Sequence, residues 1–459
     1  MDNKDNQKLH IAMFPWLACG HIMPFLEVSN FLAQKGHRVS FISTPKNIQR
    51  LPKSSLSPLI TFVELPLPAI EGLPQSTEST SELPIHKVPY LKKAYDLLQP
   101  PLTHFLQHSD VNWVIHDFIC HWLPRVATQL GINSVYFSIY NATSLAFLGP
   151  PSELRGGQRQ RPEDYTVVPK WVDFPSNVAF KLHEMVSHWD CMDDEVPDFQ
   201  RFADAIQYCN LVTMRSYPEF ESDSVSLLRK LYGKPVIPLG LLPPSSVTRQ
   251  HGGADDQVDE KWEVLREWLD NKKENSVIYI ALGTEVTLSQ ELMHELAHGI
   301  EKSGLPFIWV VNNRPLVEGM LGADIIPPDL KLEWKTALKI LGHSSIGGFL
   351  THSGWSSVIE ALGFGRVLIL FSGANSDQGL IARLLHWKRV GLEIPRDERD
   401  GSFTSDSVAE LTRRVMVDKE GELLRSNAWA MKEIFGNKEL NNKCLDEFAR
   451  FLETWPAST

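Results

Sequence analysis

Long hydrophobic runs are missing from this chain of 459 residues. Nowhere do 18 consecutive apolar residues occur, so we expect no helix that spans a membrane. The polar first segment lacks the basic region and apolar core of a secretory leader. Long runs of Lys and Arg are missing too, and the formal net charge is −11, so we do not expect nucleic acid as a partner.

Cysteine is scarce and scattered. The five cysteines are odd in number and have no CxxC spacing; they are Cys19, Cys120, Cys191, Cys209 and Cys444. This pattern argues against a disulfide framework and against a structural zinc, and we expect no metal site. Free thiols are typical of a reducing compartment, so the sequence predicts a cytoplasmic protein.

Two common nucleotide-binding or catalytic motifs are also absent. The chain contains neither GxxxxGK[ST] nor GxSxG. The first strand-like segment of each half is followed by one glycine, in CGHIMP and LGTEVT, where a dinucleotide enzyme would have GxGxxG. This argues against a nicotinamide-dependent oxidoreductase. A loop with one glycine in each of two facing sheets fits a nucleotide sugar better.

What is present is an alternation of strand-like and helix-like segments in both halves. Strand-like segments lie at 9–16, 37–44, 111–118, 133–138, 276–284, 306–312, 346–352 and 366–371. Helix-like segments lie between them, among them 24–36, 121–131 and 289–304. Such βαβ patterns predict parallel sheets covered by helices. Residues 150–200 are rich in Pro, Arg, Asp and Trp and are predicted to form a long surface excursion.

The pattern is interrupted once, where a proline-rich stretch gives way to a polar Gly/Asp segment. This predicts a linker at 241–262 between domains at 1–240 and 263–436. Residues 437–459 contain a final amphipathic helix. The predicted fold class is therefore α/β, with two doubly wound domains and a cleft between them.

Ligands of open α/β sheets bind at the carboxyl ends of strands, and two candidate catalytic residues lie at such ends. His21 follows the first strand, just ahead of a helix predicted to begin near Pro24, and a helix N-terminus favours a neutral imidazole. Asp117 ends the strand VIHDF and could orient a histidine. Either residue could instead make only a local hydrogen bond or a cap, and His116 and His121 leave the partner of Asp117 open.

A third strand end, HSGWSS, leads into a helix. Gly354 permits a tight turn, and Ser356 and Ser357 lie at a helix start whose free N–H groups attract phosphate. A serine there can equally be an ordinary N-cap. Thr284, after the strand SVIYIALG, is a second hydroxyl that could face the same anion.

These segments resemble plant UDP-dependent glycosyltransferases that modify small molecules. The resemblance covers nearly the whole chain, and residues 334–378 are similar to the donor-binding box of that family. FPWLA, GHIMP, FISTP, THSGWSS and RDERDGSFTSDSVAE look most like the branch-forming clade, whose members add a sugar to a sugar already on a flavonoid or triterpenoid. The resemblance implies two facing Rossmann-like domains of the GT-B type. It places the acceptor in the first domain, the UDP-sugar in the second, and the last helix back on the first.

The implied chemistry inverts the sugar and uses neither a metal nor a cofactor, the UDP-sugar being a co-substrate. His21 would be the general base, and Asp117 would orient it. The donor-site residues would bind the parts of UDP-sugar: Trp334 the uracil, Glu360 the ribose, His352, Ser356, Ser357 and Thr284 the diphosphate, and Trp355, Asp377 and Gln378 the sugar.

The entry to the box departs from the family pattern. Ala337 stands where a glutamine usually helps to bind the ribose, and the stretch before Trp334 is short by roughly a dozen residues. Residues 334–341 could instead form a helix in which the tryptophan only packs. The first hypothesis is therefore transfer of glucose or rhamnose from UDP to a small-molecule glycoside. The alternative is a catalytically impaired relative that binds UDP or glycosides without turnover. The acceptor and the oligomeric state do not follow from the sequence.

Overall fold

Two all-parallel sheets organise the chain in the computed structural model. The described residues are 8–456 apart from 54–55, 190–194, 244–259, 284–287, 311–333 and 373–376, and for 187–188, 260–261 and 334–335 only the backbone is described. The predicted α/β class with two doubly wound sheets is thereby confirmed.

The first sheet has seven strands in the order β3-β2-β1-β4-β5-β6-β7. They are β1 His10–Phe14, β2 Arg38–Ser43, β3 Ile60–Glu64, β4 Trp113–His116, β5 Asn133–Ser138, β6 Leu211–Met214 and β7 Val236–Pro238. Successive side chains alternate between two buried apolar clusters, so that Phe14 lies in one and Met13 in the other. Burial on both faces explains why these strands are almost uninterrupted apolar runs.

Ten helices accompany this sheet among the described residues. They are α1 Cys19–Gln34, α2 Pro45–Gln49, α3 Val88–Asp96, α4 Gln99–Gln107, α5 Leu123–Gln129, α6 Ala142–Leu148, α7 Pro151–Leu154, α8 Leu182–Trp189, α9 Asp198–Tyr208 and α10 Pro218–Tyr232. The predicted surface excursion contains α7, α8 and the start of α9. Arg159 anchors it, because its guanidinium lies over the rings of Phe147, Tyr165 and Trp171 and pairs with Glu153.

The second sheet has five described strands in the order β12-β11-β10-β8-β9. They are β8 Val277–Ala281, β9 Phe307–Val310, β10 Ile346–Thr351, β11 Val367–Leu370 and β12 Gly391–Glu393. The helices of this part are α11 Glu260–Asp270, α12 Gln290–Lys302, α13 Trp334–Gly342, α14 Trp355–Gly363, α15 Gln378–Trp387, α16 Ser405–Met416 and α17 Glu422–Phe435.

The last helix, α18 Lys438–Thr454, packs on the first sheet. Leu445 and Phe448 belong to an apolar cluster on one face of that sheet. The carbonyl of Leu452 accepts a hydrogen bond from the Trp113 indole at 3.3 Å, and Asp446 pairs with Lys35 of α1 at 2.5 Å. The chain thus returns from the second sheet to the first.

The helix after β1 begins at Cys19, earlier than predicted, and Pro24 lies inside it. A proline removes one i→i−4 hydrogen bond, here to the Gly20 carbonyl, but this loss does not end the helix. The predicted linker, 241–262, lies mostly outside the described residues, so the domain boundaries stay a prediction.

Candidate active site

Each sheet reverses its strand order once, and both reversals place polar residues at carboxyl ends of strands. In the first sheet the chain runs outward from β1 to β3 and then continues at β4, on the other side of β1. In the second, β9 and β10 flank β8 on opposite sides. Such switch points open a crevice at the strand ends, where α/β proteins bind their ligands.

At the first switch point, His21 and Asp117 form a hydrogen-bonded pair. The Nδ1 of His21 lies 2.6 Å from Oδ2 of Asp117. The Asp117 side chain is 1% exposed, whereas His21 is 13% exposed. The partner of the Asp117 carboxylate is therefore His21: the ring of His116 bonds the main-chain carbonyl of Asp117, and His121 pairs with Asp204.

The backbone fixes the Asp117 carboxylate. Its Oδ1 accepts from the Phe118 amide at 2.7 Å, and its Oδ2 accepts from the Trp16 amide at 3.3 Å as well as from His21. An ionised carboxylate can only accept, so the His21 proton lies on Nδ1 and the lone pair on Nε2. Nε2 can therefore accept a proton from a ligand.

The earlier start of α1 changes the setting of His21. His21 lies within the first turn, and its amide bonds the carbonyl of Ala18, the N-cap.

At the second switch point, the turn between β10 and α14 has the geometry of an anion site. Ser353 adopts φ +68, an uncommon left-handed conformation for a residue other than glycine. Gly354 is the N-cap of α14 and makes no side-chain cap, so Ser356 and Ser357 lie in a first turn with free N–H groups. Strain in the backbone often marks such binding turns.

His352 is held between two glycines at this turn. A Cβ on Gly283 would lie 2.8 Å, and one on Gly354 2.4 Å, from atoms of the His352 ring. Burial lowers the pKa of His352 to about 4, although the Ala281 carbonyl raises it, so the ring is neutral near pH 7. Its Nδ1 has no hydrogen-bond partner among the described residues and could bond a ligand.

Asp377 and Gln378 begin α15 and face the first domain. Asp377 is the N-cap of the helix, and burial raises the pKa of its carboxyl to about 7 although the nearby His21 lowers it. Gln378 is buried, and its Oε1 has no partner within the described part of the chain. The start of α15 and the His21 site of the first domain therefore face one another across one cleft, as predicted.

Two further predicted donor residues lie on α14. Burial raises the pKa of Glu360 to about 7, while Arg215 lowers it. Trp355 is buried, donates from its indole to the Arg215 carbonyl at 2.8 Å, and stacks on Phe220. Its indole is thus occupied by packing between the domains, so a contact with a sugar would have to come from its backbone N–H.

The remaining predicted residues are only partly described. Thr284 lies outside the described residues, and Trp334 is the first residue of α13, its side chain not described. Ala337 is half-buried in that helix and packs against the core of the second domain. A helix thus begins at Trp334, while stacking of the tryptophan on uracil stays a prediction.

Three charged residues at the interface were missed by the sequence reasoning: Arg215, Glu184 and Arg383. Glu184 of α8 and Arg383 of α15 form a buried pair that links the excursion to the helix carrying Gln378. Arg215 follows β6 directly and reaches Ser356. A charged residue at the end of an apolar strand was the available signal for Arg215, and the weakly periodic excursion offered none for Glu184.

A HELAH sequence at 294–298 has the spacing of a zinc-protease motif, but Glu295 and His298 contact other side chains or the backbone. Glu295 accepts from the Ser405 amide at 2.5 Å, and His298 lies 3.7 Å from Glu301. Within the described ranges, no three His, Cys, Asp or Glu residues are grouped to hold a metal, and no helix is long and apolar enough to cross a membrane.

Comparison with known proteins agrees with this geometry. Residues 102–378 match the family described as UDP-glucoronosyl and UDP-glucosyl transferase. UDP-glycosyltransferase 91C1 of Arabidopsis thaliana is 48% identical over 100% of both chains. Soyasaponin III rhamnosyltransferase of Glycine max is 40% identical over 99% of this chain and 98% of its own.

Solved structures support the fold. Glycyrrhiza uralensis UGT73P12, complexed with glycyrrhetinic acid 3-O-monoglucuronide, superposes with a TM-score of 0.76 at 20% identity, covering 98% of this chain and 96% of that one. Medicago truncatula UGT71G1, complexed with UDP-glucose, gives 0.73 at 19% identity, with 98% and 99% covered. The two sheets and their cleft thus form a GT-B fold, and the chain belongs to the plant UDP-glycosyltransferases, enzymes that transfer a sugar from a UDP-sugar.

Proposed function

We propose that this enzyme transfers glucose or rhamnose from UDP to a hydroxyl of a small-molecule glycoside and so forms a sugar–sugar bond. Two relatives support rhamnose as a donor sugar and a glycoside as acceptor. They are the soyasaponin III rhamnosyltransferase and an anthocyanidin-3-O-glucoside rhamnosyltransferase of Petunia hybrida, which is 32% identical. The flavonoid and triterpenoid glycosides are therefore the acceptor classes to test first.

The observation that carries the proposal is the His21–Asp117 pair opposite Asp377. In the proposed reaction, His21 Nε2 removes the proton of the acceptor hydroxyl while Asp117 stabilises the imidazolium that forms. The acceptor oxygen then attacks the anomeric carbon and the bond to the diphosphate oxygen breaks, with inversion at that carbon. The electron pair of the broken bond leaves with UDP.

The donor side supplies groups suited to each part of UDP-sugar. The first turn of α14, with Ser356 and Ser357, offers N–H and O–H donors to the diphosphate. Glu360 accepts from the ribose hydroxyls, and Asp377 with Gln378 binds the sugar hydroxyls. Neutral His352 and Thr284 add diphosphate contacts. We propose that the reaction needs no metal and no cofactor besides this co-substrate.

We place the reaction in the cytoplasm, because the four described cysteines are free thiols. No nucleic acid takes part in it. The partners are the UDP-sugar and the glycoside acceptor.

Calorimetric titration with UDP tests the altered entry to the donor box. Wild-type protein is expected to bind UDP, and Trp334→Ala to lose affinity by about fivefold or more, since base–aromatic stacking contributes about 1–3 kcal/mol. Trp429→Ala is the matched control, because that tryptophan is 57% exposed on α17. Equal UDP affinity of Trp334→Ala and wild type would remove Trp334 from the uracil site.

A transfer assay separates the enzyme from an impaired relative. Incubation with UDP-glucose or UDP-rhamnose and flavonoid or triterpenoid glycosides is expected to release UDP and to extend the sugar chain. His21→Ala should bind UDP with the affinity of wild type, but it should transfer no sugar and so form no UDP from the UDP-sugar. A folded protein that binds UDP but transfers no sugar to any of these acceptors would support the impaired alternative.

A further inference from the structure

Arg215 is a buried charged residue at the interface between the two domains. It follows β6 in the first domain and is 2% exposed. Its Nε donates to the Leu241 carbonyl at 3.0 Å, and its Nη2 points to the Leu242 carbonyl at 3.4 Å. Its Nη1 crosses the interface and donates to Ser356 Oγ at 2.7 Å. The guanidinium of this first-domain residue thus bonds the segment that follows β7, at residues 241–242, and the start of α14 in the second domain.

The charge of Arg215 has no direct counter-ion within the described ranges, where no carboxylate oxygen lies within 4.0 Å of it. Burial lowers the pKa of this guanidinium to about 10, and the more distant Glu360 and Glu27 raise it. It therefore stays charged near pH 7. A buried cation that contacts only carbonyls and a hydroxyl is incompletely neutralised, and an anion bound nearby would stabilise it.

The contact with Arg215 determines whether the Ser356 hydroxyl donates or accepts in this hydrogen bond. Because Arg215 has no acceptor, Ser356 Oγ must be the acceptor of this bond. Its own O–H is then free to donate elsewhere. Ser356 is in the first turn of α14, where backbone N–H groups also lack helical partners. The Ser356 hydroxyl, the first-turn amides and the Arg215 guanidinium together make the start of α14 electropositive.

We propose that Arg215 is a positioning residue of the donor site, which orients the Ser356 hydroxyl toward the diphosphate and supplies positive charge to the departing UDP. This inference rests on the proposed function, because it requires a diphosphate at the first turn of α14. The donor site is then completed from the acceptor domain. Charge at the leaving group increases as the sugar–phosphate bond breaks, so Arg215 is more important in the transition state than in the ground state.

The Arg215 backbone strengthens this link. Its carbonyl accepts from the Trp355 indole at 2.8 Å, next to the serine that its side chain bonds. The side chain and the main chain of one residue therefore hold the first turn of α14 in a single orientation. Arg215→Lys would keep the charge and the carbonyl but lose the planar fork that bonds three oxygens.

The test compares UDP with uridine, which lacks the diphosphate, by calorimetry on the full-length protein. Arg215→Gln and Arg215→Lys are expected to weaken UDP binding by about tenfold or more while uridine binding stays within about twofold. Arg215→Gln combined with Ser356→Ala should weaken UDP binding little more than either change alone, because the two residues act as one unit. With substrate, Arg215→Gln should lower kcat more than it raises the donor KM.

Arg366→Gln is the matched control. Arg366 is also a buried arginine, and it donates to the Leu341 and His343 carbonyls inside the second domain. The control should lower thermal stability and leave the ratio of UDP to uridine affinity unchanged.

Three results would count against these ideas, and they can be told apart. A folded wild-type protein that does not bind UDP would contradict the proposed function itself. Wild-type binding together with unchanged UDP affinity in Arg215→Lys would overturn the inference alone, even if Arg215→Gln failed to fold. Equal losses of UDP and uridine affinity would show that Arg215 acts only on folding and not on the diphosphate.

Discussion

At the scale of single residues, burial sets the chemical state of the groups at the cleft. Asp117 is nearly inaccessible and has three N–H donors, so the orientation of His21 is decided before any ligand arrives. His352 is neutral near pH 7 because it is buried, so its ring can donate or accept a hydrogen bond without carrying a charge. Both arrangements are preorganised in the sense that the ligand need not create them.

The first prediction concerns Asp117→Asn. The amide has the same shape but no charge, and it stabilises the imidazolium poorly, so kcat should fall by about 10²- to 10⁴-fold. Affinity for UDP should stay within about twofold, because the donor lies on the other domain. Steady-state kinetics and UDP titration measure the two effects. A kcat within threefold of wild type would contradict the assigned role.

The second prediction concerns pH and Glu360. Burial raises its folded-state pKa to about 7 from an ordinary value of 4.5, so the folded state keeps a proton that the unfolded chain loses first. This carboxyl therefore stabilises the fold below pH 4.5, and the contribution is lost as pH rises through about 7. The free energy of unfolding of wild type minus that of Glu360→Gln should fall by up to about 3 kcal/mol from pH 4 to pH 8.

Urea titration of the ligand-free proteins across that range measures the difference. Glu291→Gln is a useful control, because Glu291 is an exposed glutamate of α12. A difference between wild type and Glu360→Gln that does not change with pH would show that Glu360 ionises as freely as in the unfolded chain.

At the scale of elements, the sequence predicts eight of the twelve described strands and misplaces the start of α1. Each of the eight predicted segments contains an observed strand, and β5 agrees at both ends, because fully buried parallel strands are continuous apolar runs bounded by polar residues. The strands β3, β6, β7 and β12 were not predicted. The start of α1 was wrong because Pro24 is the strongest helix-start signal in the segment, while the turn from Cys19 to Met23 has no capping side chain. Here tertiary packing outweighs local capping.

The third prediction concerns Glu184 of α8. Burial opposes its charge, but Arg383, Ser372 and the Lys181 amide hold the pKa of this carboxyl below its ordinary value. Glu184→Gln leaves the buried Arg383 with Glu393 as its one remaining carboxylate partner among the described residues, so the free energy of unfolding should fall by about 2–4 kcal/mol. Replacing both Glu184 and Arg383 by Met should cost less than the single change.

Denaturant titration gives these values, with Glu263→Gln as control. Glu263 pairs with Arg266 on the exposed surface of α11, so its loss should change stability by less than about 0.5 kcal/mol. Similar effects of Glu184→Gln and Glu263→Gln would mean that the buried pair contributes no more than a surface pair.

At the scale of the whole molecule, contacts far apart in sequence join the two halves. Asn441 of α18 accepts from the Leu242 amide at 3.0 Å and from the Tyr217 hydroxyl at 3.3 Å. Gly240 makes room for it, because a Cβ there would lie 2.4 Å from Asn441 Oδ1 and the residue has φ +81. The last helix thus fixes the exit of the first domain toward the second.

The fourth prediction is that Asn441→Leu destabilises the protein by about 1–3 kcal/mol, since two buried donors lose their acceptor. The neighbouring Asn442 is exposed, and Asn442→Leu should change stability by less than about 0.5 kcal/mol. Thermal denaturation of the two variants beside wild type measures both. Equal melting temperatures for the two variants would deny α18 this role.

How much of the site follows from sequence depends on where each residue lies. His21, Asp117 and the turn after β10 were identified because chemistry-bearing residues follow apolar strands, and the topology then brings them together. Arg215 and Glu184 act across the interface, and no local pattern encodes which surface will meet which. The hydrogen bond of the Trp355 indole could not be predicted either, because its acceptor, the Arg215 carbonyl, lies 140 residues earlier in the chain.

Because Arg215 belongs to the first half of the chain and Ser356 to the second, the two halves are not independent modules. In chimaeras between relatives joined after residue 243, donor affinity should depend partly on the half that contributes the acceptor pocket. A second half with Ser356 would work best behind a first half with Arg215. A chimaera made to change acceptor preference should therefore keep both partners of this hydrogen bond, Arg215 in the first half and Ser356 in the second.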